Sequence, residues 1–345
     1  VTDGVLSIAP SWAVPGGVVR LAGQNLPVTT TAPPRVFVGD TEARVIGASS
    51  RHVRFIVPVV ENGGGTLPVR LEPGAIDAGE IVVARAVATG LHQVDSPAFD
   101  GLGRLYATHS GSRGVKVPVP LYRVNADGSR DGLPIDLPNP TSLALGPDGA
   151  LYISSRFEGQ VYRLADDDRL DVYASDLGVP TGLAFSSDGT LFVGDRSGSI
   201  LRVSRDRQVD TFASLPASVA AFHLAFGRDD CLYVSAPTLS AHDAVYSISR
   251  DRMVNTLCAG FGRPQGLALD DGGTLYVVEA LAGASGIYRI DVNDESPRAQ
   301  LIAATPVAVG LAFDPAGGMV VASSDTIWRL DVPVKGVLGA SSPAS

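Results

Sequence analysis

One phrase recurs six times along this chain: a Pro or small residue, an apolar strand, a Gly-containing turn, then a second apolar strand. It reads SPAFDGLGRLYATHS from Ser96, PTSLALGPDGALYISS from Pro140 and PTGLAFSSDGTLFVGD from Pro180. It returns as FHLAFGRDDCLYVSA from Phe222, PQGLALDDGGTLYVVE from Pro264 and VGLAFDPAGGMVVASS from Val309. The first apolar residues after the turns are Leu105, Leu151, Leu191, Leu232, Leu275 and Met319, separated by 46, 40, 41, 43 and 44 residues. That period suits a four-stranded propeller blade.

Each repeat continues alike. Third strands follow as QVYRL, SILRV, AVYSI, GIYRI and TIWRL, and more polar fourth strands as LDVYAS and QVDTFAS. Inner strands are near-continuous apolar runs, as expected between neighbouring blades, and helical periodicity is nearly absent. The last repeat has no fourth strand of its own, because the chain after Leu330 runs into VPVKGVLGASSPAS. The spare strand IVVARAVATGL, Ile81 to Leu91, precedes the first repeat and is predicted to complete the last blade. That arrangement joins the two ends of the ring and removes exposed edges.

Before Gly79 the rhythm changes to short alternating strands: GVVRLAG, PRVFVGD, ARVIGAS, HVRFIVP and TLPVRLE, with turns at Pro15-Gly16-Gly17 and Asn62-Gly63-Gly64-Gly65 between them. This reads as a small β-sandwich, with Trp12 before its first full strand. The expected organisation is all-β. A sandwich occupies 1–78, a six-bladed propeller 79–333 closed by an N-terminal outer strand in the last blade, and a flexible tail 334–345. The short Pro73–Gly79 junction predicts a restricted hinge.

Totals narrow the function classes. Acidic residues outnumber basic ones, 36 against 27, and the formal net charge is −9, which argues against nucleic acid as a partner. No apolar run is long enough to cross a bilayer. Only 18% of residues are charged, a level common in β-rich secreted proteins, so an extracellular, periplasmic or envelope location is expected, with a signal peptide already removed. Two cysteines, Cys231 and Cys258, are too few for a disulfide framework and are expected as free thiols.

Two resemblances follow from these residues. IAPSWAVPGGVVRLAGQNL with VFVGDTEARVIGASSRHVRFIVP resembles the IPT/TIG immunoglobulin-like domain over residues 3–73, which implies a spacer or interaction module without catalysis. The phrase P-x-G-L-A-x-x-x-D-G-x-L-Y-V resembles both the NHL-repeat proteins and the gluconolactonase-like senescence-marker-protein superfamily, and so identifies architecture rather than activity.

In propellers the starts of inner strands line the channel mouth. Here that ring is Asp95, Ser96, Thr141, Ser142, Thr181, His223, Gln265 and Val309. Loops after the second strands overhang it with His109, Arg156, Asp195, Arg196, His242, Glu279 and Asp325. The gluconolactonase resemblance implies a divalent cation such as Ca²⁺ at this mouth, held by a Glu before the first repeat, middle-repeat Asn residues and a late Asp. This sequence offers Asp95, Thr181 and Gln265 instead, so no metal or cofactor is expected; if one binds, Asp95 and Gln265 are its candidate ligands. His223 either faces the channel as a base or plugs it. His223, Glu279 and His242 form a candidate acid/base grouping; the resemblance adds that lyase members of the NHL-like class use His and Glu at a comparable mouth. Asp166-Asp167-Asp168 lacks calcium-loop spacing and reads as a solvated hairpin.

The leading expectation is a secreted or envelope binding protein that presents a propeller face to a protein or small ligand, with the immunoglobulin-like domain as spacer or dock. The alternatives are a metal-dependent hydrolase or lyase of the gluconolactonase-like class and a structural subunit of a larger assembly.

Overall fold

The computed structural model describes residues 6–28, 33–61 and 63–336, and every regular element in them is a strand. Residues 337–345 of the expected tail lie outside the described residues, as does Asn62 of the Gly-rich turn. No helix of the described residues is long and apolar enough to cross a membrane.

The repeats form four-stranded antiparallel meanders in a propeller-like ring. Five stand as separate sheets: those of repeats 1 to 4, and that of the last repeat, completed by Arg85–Thr89. Inner strands neighbour one another in turn: Ala98–Phe99, Pro140–Leu145, Pro180–Phe185, His223–Phe226, Pro264–Leu269 and Gly310–Phe313. Because each sheet is covered on both faces, second strands are buried throughout, as in Leu191–Asp195 and Leu151–Ser155. Fourth strands meet water: in Leu170–Ala174 only Ala174 is buried.

The propeller core lies between sheets. Tyr152 and Val161 of repeat 2 pack with Leu183 and Val193 of repeat 3, whose other face packs Phe192 and Ile200 against Leu232 and Val234 of repeat 4. Each such aliphatic side chain contributes about 1.5–3 kcal/mol.

The closing strand is shorter than the expected Ile81–Leu91. Arg85–Thr89 pairs antiparallel with Thr326–Leu330, from Arg85↔Arg329 to Thr89↔Thr326. Ile81–Val83 instead ends the strand Ile76–Val83, which pairs with Gly65–Glu72 and runs across the expected junction at 78/79. Ile81 and Val83 pack with Val19 and Leu71, while Ala84 packs with Val278 and Ile287.

Six separate blades were expected, and five stand alone. The meander Pro264–Leu269, Thr274–Glu279, Gly286–Asp291 and Gln300–Ala304 is the end of a twelve-stranded sheet. Trp12–Ala13 makes it so. These two residues pair in parallel with Gln300–Ala304 on one side (Trp12↔Ala303) and with Ile76–Val83 on the other (Trp12↔Val82). The unpaired edge groups of an outer strand find their partners in another part of the chain. Gly17 shares this seam: a Cβ there would sit 2.5 Å from the Ala304 carbonyl oxygen.

The N-terminal strands are Ser7–Ala9, Val18–Ala22, Arg35–Val38, Thr41–Ala48, His52–Ile56, Gly65–Glu72 and Ile76–Val83. Val18–Ala22 and His52–Ile56 alternate buried and open residues, so one face of each points inward. Their Val19, Leu21, Val53 and Phe55 meet Val36, Val38, Val69 and Leu71 in one core. Thr41–Ala48 pairs with both Arg35–Val38 and His52–Ile56 and so joins the two groups of strands.

Asp166–Asp168 lies in the turn between Gln160–Leu164 and Leu170–Ala174. Asp168 takes φ 62°, and its carboxylate meets Arg123 at 3.0 Å. Cys231 and Cys258 are free thiols. At the chain's far end, Val334 and Lys335 are held by carbonyl bonds from Gly318 N–H (3.1 Å) and Asp271 N–H (2.9 Å), so the tail is fixed to the propeller as far as these residues.

Candidate functional site

Antiparallel pairing puts the start of each inner strand beside the end of its second strand: Pro140↔Ser155, Pro180↔Asp195, His223↔Ser235, Pro264↔Glu279, Gly310↔Ala322. Ring and overhang residues therefore share one end of the axis. The opposite end mixes apolar side chains with charged ones such as Arg228, Asp271 and Asp314. There the inner strands finish in a cavity of about 690 Å³ lined by Phe99, Leu145, Phe185, Phe226, Leu269 and Phe313.

At the polar end three ring residues meet. His223, Asp95 and Gln265 are 2%, 5% and 5% exposed. His223 Nδ1 lies 2.5 Å from Asp95 Oδ1, and Nε2 lies 3.3 Å from Gln265 Oε1. Asp95 Oδ1 also accepts the Ser96 N–H at 2.6 Å. This chain links the segment before repeat 1 to repeats 4 and 5. Both imidazole nitrogens are engaged, so the ring is held in place rather than left open to a substrate.

The Ser142, Thr181 and Ser96 hydroxyls fasten neighbouring inner strands. Ser142 Oγ accepts the Leu183 N–H (3.1 Å), and Thr181 Oγ1 accepts the Phe222 N–H (3.0 Å). Ser235 Oγ donates to Gln265 O (2.5 Å), and Ser96 Oγ accepts the Leu311 N–H (3.3 Å). Thr141 Oγ1 donates to Asn139 O at 3.3 Å, and Val309 O accepts the Gly266 N–H at 3.1 Å. Inner strands converge without a regular ladder between them, and a small hydroxyl satisfies main-chain groups that the convergence leaves over.

The overhanging carboxylates are clamps. Glu279 accepts three main-chain N–H bonds, from Gly262 (2.7 Å), Arg263 (2.8 Å) and Leu281 (2.7 Å). Asp195 accepts from Val179 N–H at 2.7 Å and from the Ser197 hydroxyl. Asp325 is exposed and accepts from Ser323 Oγ at 3.0 Å. His242 is exposed, and its N–H is held by Ser240 Oγ at 2.9 Å. No hydrogen bond joins His223 to Glu279 or His242 among the described residues. The expected three-residue acid/base grouping is therefore not assembled, because Glu279 is turned onto loop amides and His223 onto the axis. His109 is half-buried beside His92 (ring centroids 5.9 Å) and Tyr122 (6.2 Å). Burial, with His92 and Arg130 nearby, pushes its imidazole below the ordinary histidine value.

A divalent ion does not fit these residues. Asp95 and Gln265, the two candidate ligands, both face His223, and the Thr181 hydroxyl bridges repeats 3 and 4. Among the described residues no group of three or more His, Cys, Asp or Glu could hold a metal.

Arg156 and Arg196 occupy the same position in repeats 2 and 3, directly after the second strand. The loop of repeat 1 that bears Arg113, which the sequence did not single out, lies against Arg156, whose Nη2 donates to Gly111 O at 3.3 Å. The available signal was length: thirteen positions separate Thr108 from Leu121, against five between Ser155 and Gln160.

Residues 5–79 match the IPT/TIG domain family. No curated protein matches the chain. Among solved structures it is similar to an auxiliary nutrient binding protein from Bacteroides ovatus (TM-score 0.56, 11% identity), with 97% of this chain and 98% of that one covered. A candidate gluconolactonase is similar at TM-score 0.57 and 17% identity, over 74% and 93% of the two chains. Virginiamycin B lyase from Staphylococcus aureus is similar at TM-score 0.51 and 15% identity, over 91% and 99%. At these identities the likeness is one of fold.

Proposed function

We propose that this protein is a binding protein of the cell exterior or envelope. The polar end of its propeller takes a small ligand or a partner, and an immunoglobulin-like sandwich serves as a rigid dock. On this reading the meander Pro264–Ala304 counts as the remaining blade of a six-bladed ring, and the junction lies at Ala84, between the strands Ile76–Val83 and Arg85–Thr89. The observation that carries it is the Asp95–His223–Gln265 chain, a buried polar group at this end that holds the imidazole from both sides. Such a mouth offers a preformed floor for a ligand. The Bacteroides nutrient binding protein supports the same reading, since its likeness spans nearly the whole of both chains.

The test is a thermal-shift screen of sugars, sugar acids, lactones and short peptides, with hits mapped by hydrogen exchange. Protection confined to the loops after Thr108, Ser155 and Asp195 supports the reading; protection only at the opposite end overturns its choice of face. A lactonase- or lyase-like reading rests on the 2.5 Å Asp95–His223 contact, a carboxylate–imidazole pair. Turnover of a lactone that His223→Asn abolishes in a folded protein would favour that reading over binding alone.

A further inference from the structure

The polar end carries three arginines that have no ion pair among the described residues, and Arg156 and Arg196 each donate to a main-chain carbonyl there, Gly111 O at 3.3 Å and Val219 O at 3.2 Å. Arg156 N–H donates to Asn139 O at 3.4 Å and Arg196 N–H to Val179 O at 3.1 Å, so the two residues leave equivalent points of adjacent sheets. The loop bearing Arg113 is drawn to them: Arg156 Nη2 donates to Gly111 O at 3.3 Å, and Gly114 N–H donates to Asn139 Oδ1 at 2.6 Å. Several arginines elsewhere sit on carboxylates, as Arg104 does on Asp100 (2.6 Å) and Arg163 on Asp148 (2.6 Å), and others are exposed without one. Among the described residues, none of Arg113, Arg156 and Arg196 has such an ion pair. The nearest carboxylate in sequence, Asp195, is turned onto Val179 and Ser197.

Arg156 Nε is enclosed and has no hydrogen-bond partner, and the Ser110 hydroxyl of the same loop is in the same condition. A buried cationic N–H without an acceptor is unfavourable, and like charges around it add to the cost. Burial and the charges of Arg196 and Arg113 together push the Arg156 guanidinium below its ordinary value. An arrangement that destabilises the empty protein gains a rationale when an anion supplies both the acceptor and the countercharge.

We propose that Arg113, Arg156 and Arg196 form an oxyanion site, which receives a carboxylate or phosphate group of the small ligand bound at this end of the propeller. The site narrows the binding function above and rests on it for the ligand's place, while anion affinity itself is measurable alone.

The experiment is calorimetric titration with inorganic phosphate and, separately, with citrate, each against sodium chloride of matched ionic strength. One saturable site is expected for at least one of the two, and the tighter arm tells phosphate from carboxylate. Arg156→Gln/Arg196→Gln should weaken it at least tenfold. Arg156→Lys/Arg196→Lys, which keeps charge but loses the planar fork, should fall between, and Arg169→Gln should bind as wild type does. Without anion, the double Gln variant should melt no lower than wild type, because it relieves repulsion. Heat indistinguishable from sodium chloride, or undiminished binding by the double Gln variant, overturns the site. If it is overturned while a neutral ligand still protects the same loops, the binding function stands; if no ligand protects them, both fall.

Discussion

Glu279 separates a structural reading of the polar end from a catalytic one by measurement. Its Oε1 accepts from Arg263 and Leu281 N–H, and its Oε2 from Gly262 N–H. Hydrogen bonds to a charged acceptor contribute about 1.5–3 kcal/mol each when water cannot replace them. Gly262 is half-buried, and Arg263 and Leu281 are exposed, so water takes over part of the loss. We therefore take about 1 kcal/mol per bond, and about 3 kcal/mol for Glu279→Ala. That corresponds to roughly fivefold faster exchange at an amide that opens alone and roughly a hundredfold where the three open together, since 1.4 kcal/mol is a factor of ten. Glu279→Gln is sharper. Its remaining oxygen can keep Arg263 and Leu281, while its NH₂ must face the Gly262 N–H. Amide exchange by NMR should then show Gly262 alone deprotected in Glu279→Gln, and all three in Glu279→Ala. Unchanged protection in Glu279→Ala would refute the clamp and return the carboxylate to the candidates for chemistry.

Four further outcomes follow. Asp95→Ala leaves His223 buried without its carboxylate and should cost about 3–5 kcal/mol in urea unfolding; Asp95→Ala/His223→Leu should cost less than Asp95→Ala, and additive losses would count against the pair. Gly17→Ala drives a Cβ to 2.5 Å from Ala304 O and should cost about 1–3 kcal/mol, read as faster exchange at Val14 and Ala84 N–H, which bond Ala304 O and Ala13 O at 2.8 Å. Asp210 is held below the usual carboxylate range by hydrogen bonding to Arg202, with Arg252 adding to it. Its stabilisation is therefore present above the unfolded-state value of about 3.9 and lost as pH falls through the folded one; Asp210→Asn, at a half-exposed site, should cost under about 1 kcal/mol at pH 7 and nothing in acid. Burial pushes the Cys231 thiol up and Cys258 is buried, so the folded protein should react slowly with a thiol reagent at pH 8 and yield both thiols in urea.

The repeat phrase made the sheets legible because a buried second strand and a Gly turn mark every copy. The closing strand was legible for the same reason: Arg85–Thr89 is an outer strand with no meander of its own. Trp12–Ala13 was not, since two residues display no period and their partners lie about 70 and 290 positions away. Ile81–Val83 reads as part of the propeller because its apolar run continues into Ala84, and composition does not say where one sheet hands over to the next. At the axis, the ring positions of Asp95, His223 and Gln265 could be read from register, but their mutual contact could not. Ser142 and Thr181 show the deeper limit. A hydroxyl that would hold a ligand and one that fastens the next strand are the same residue in sequence, and only the neighbour's unpaired N–H tells them apart.

The parallel strand Trp12–Ala13 has one consequence beyond its own hydrogen bonds. Main-chain hydrogen bonds of these two residues put the N-terminal strands and the meander Pro264–Ala304 into one sheet, so the two parts do not meet through side chains alone. A partner that touches both parts therefore meets a single preset contour, and its association forfeits no freedom to align them.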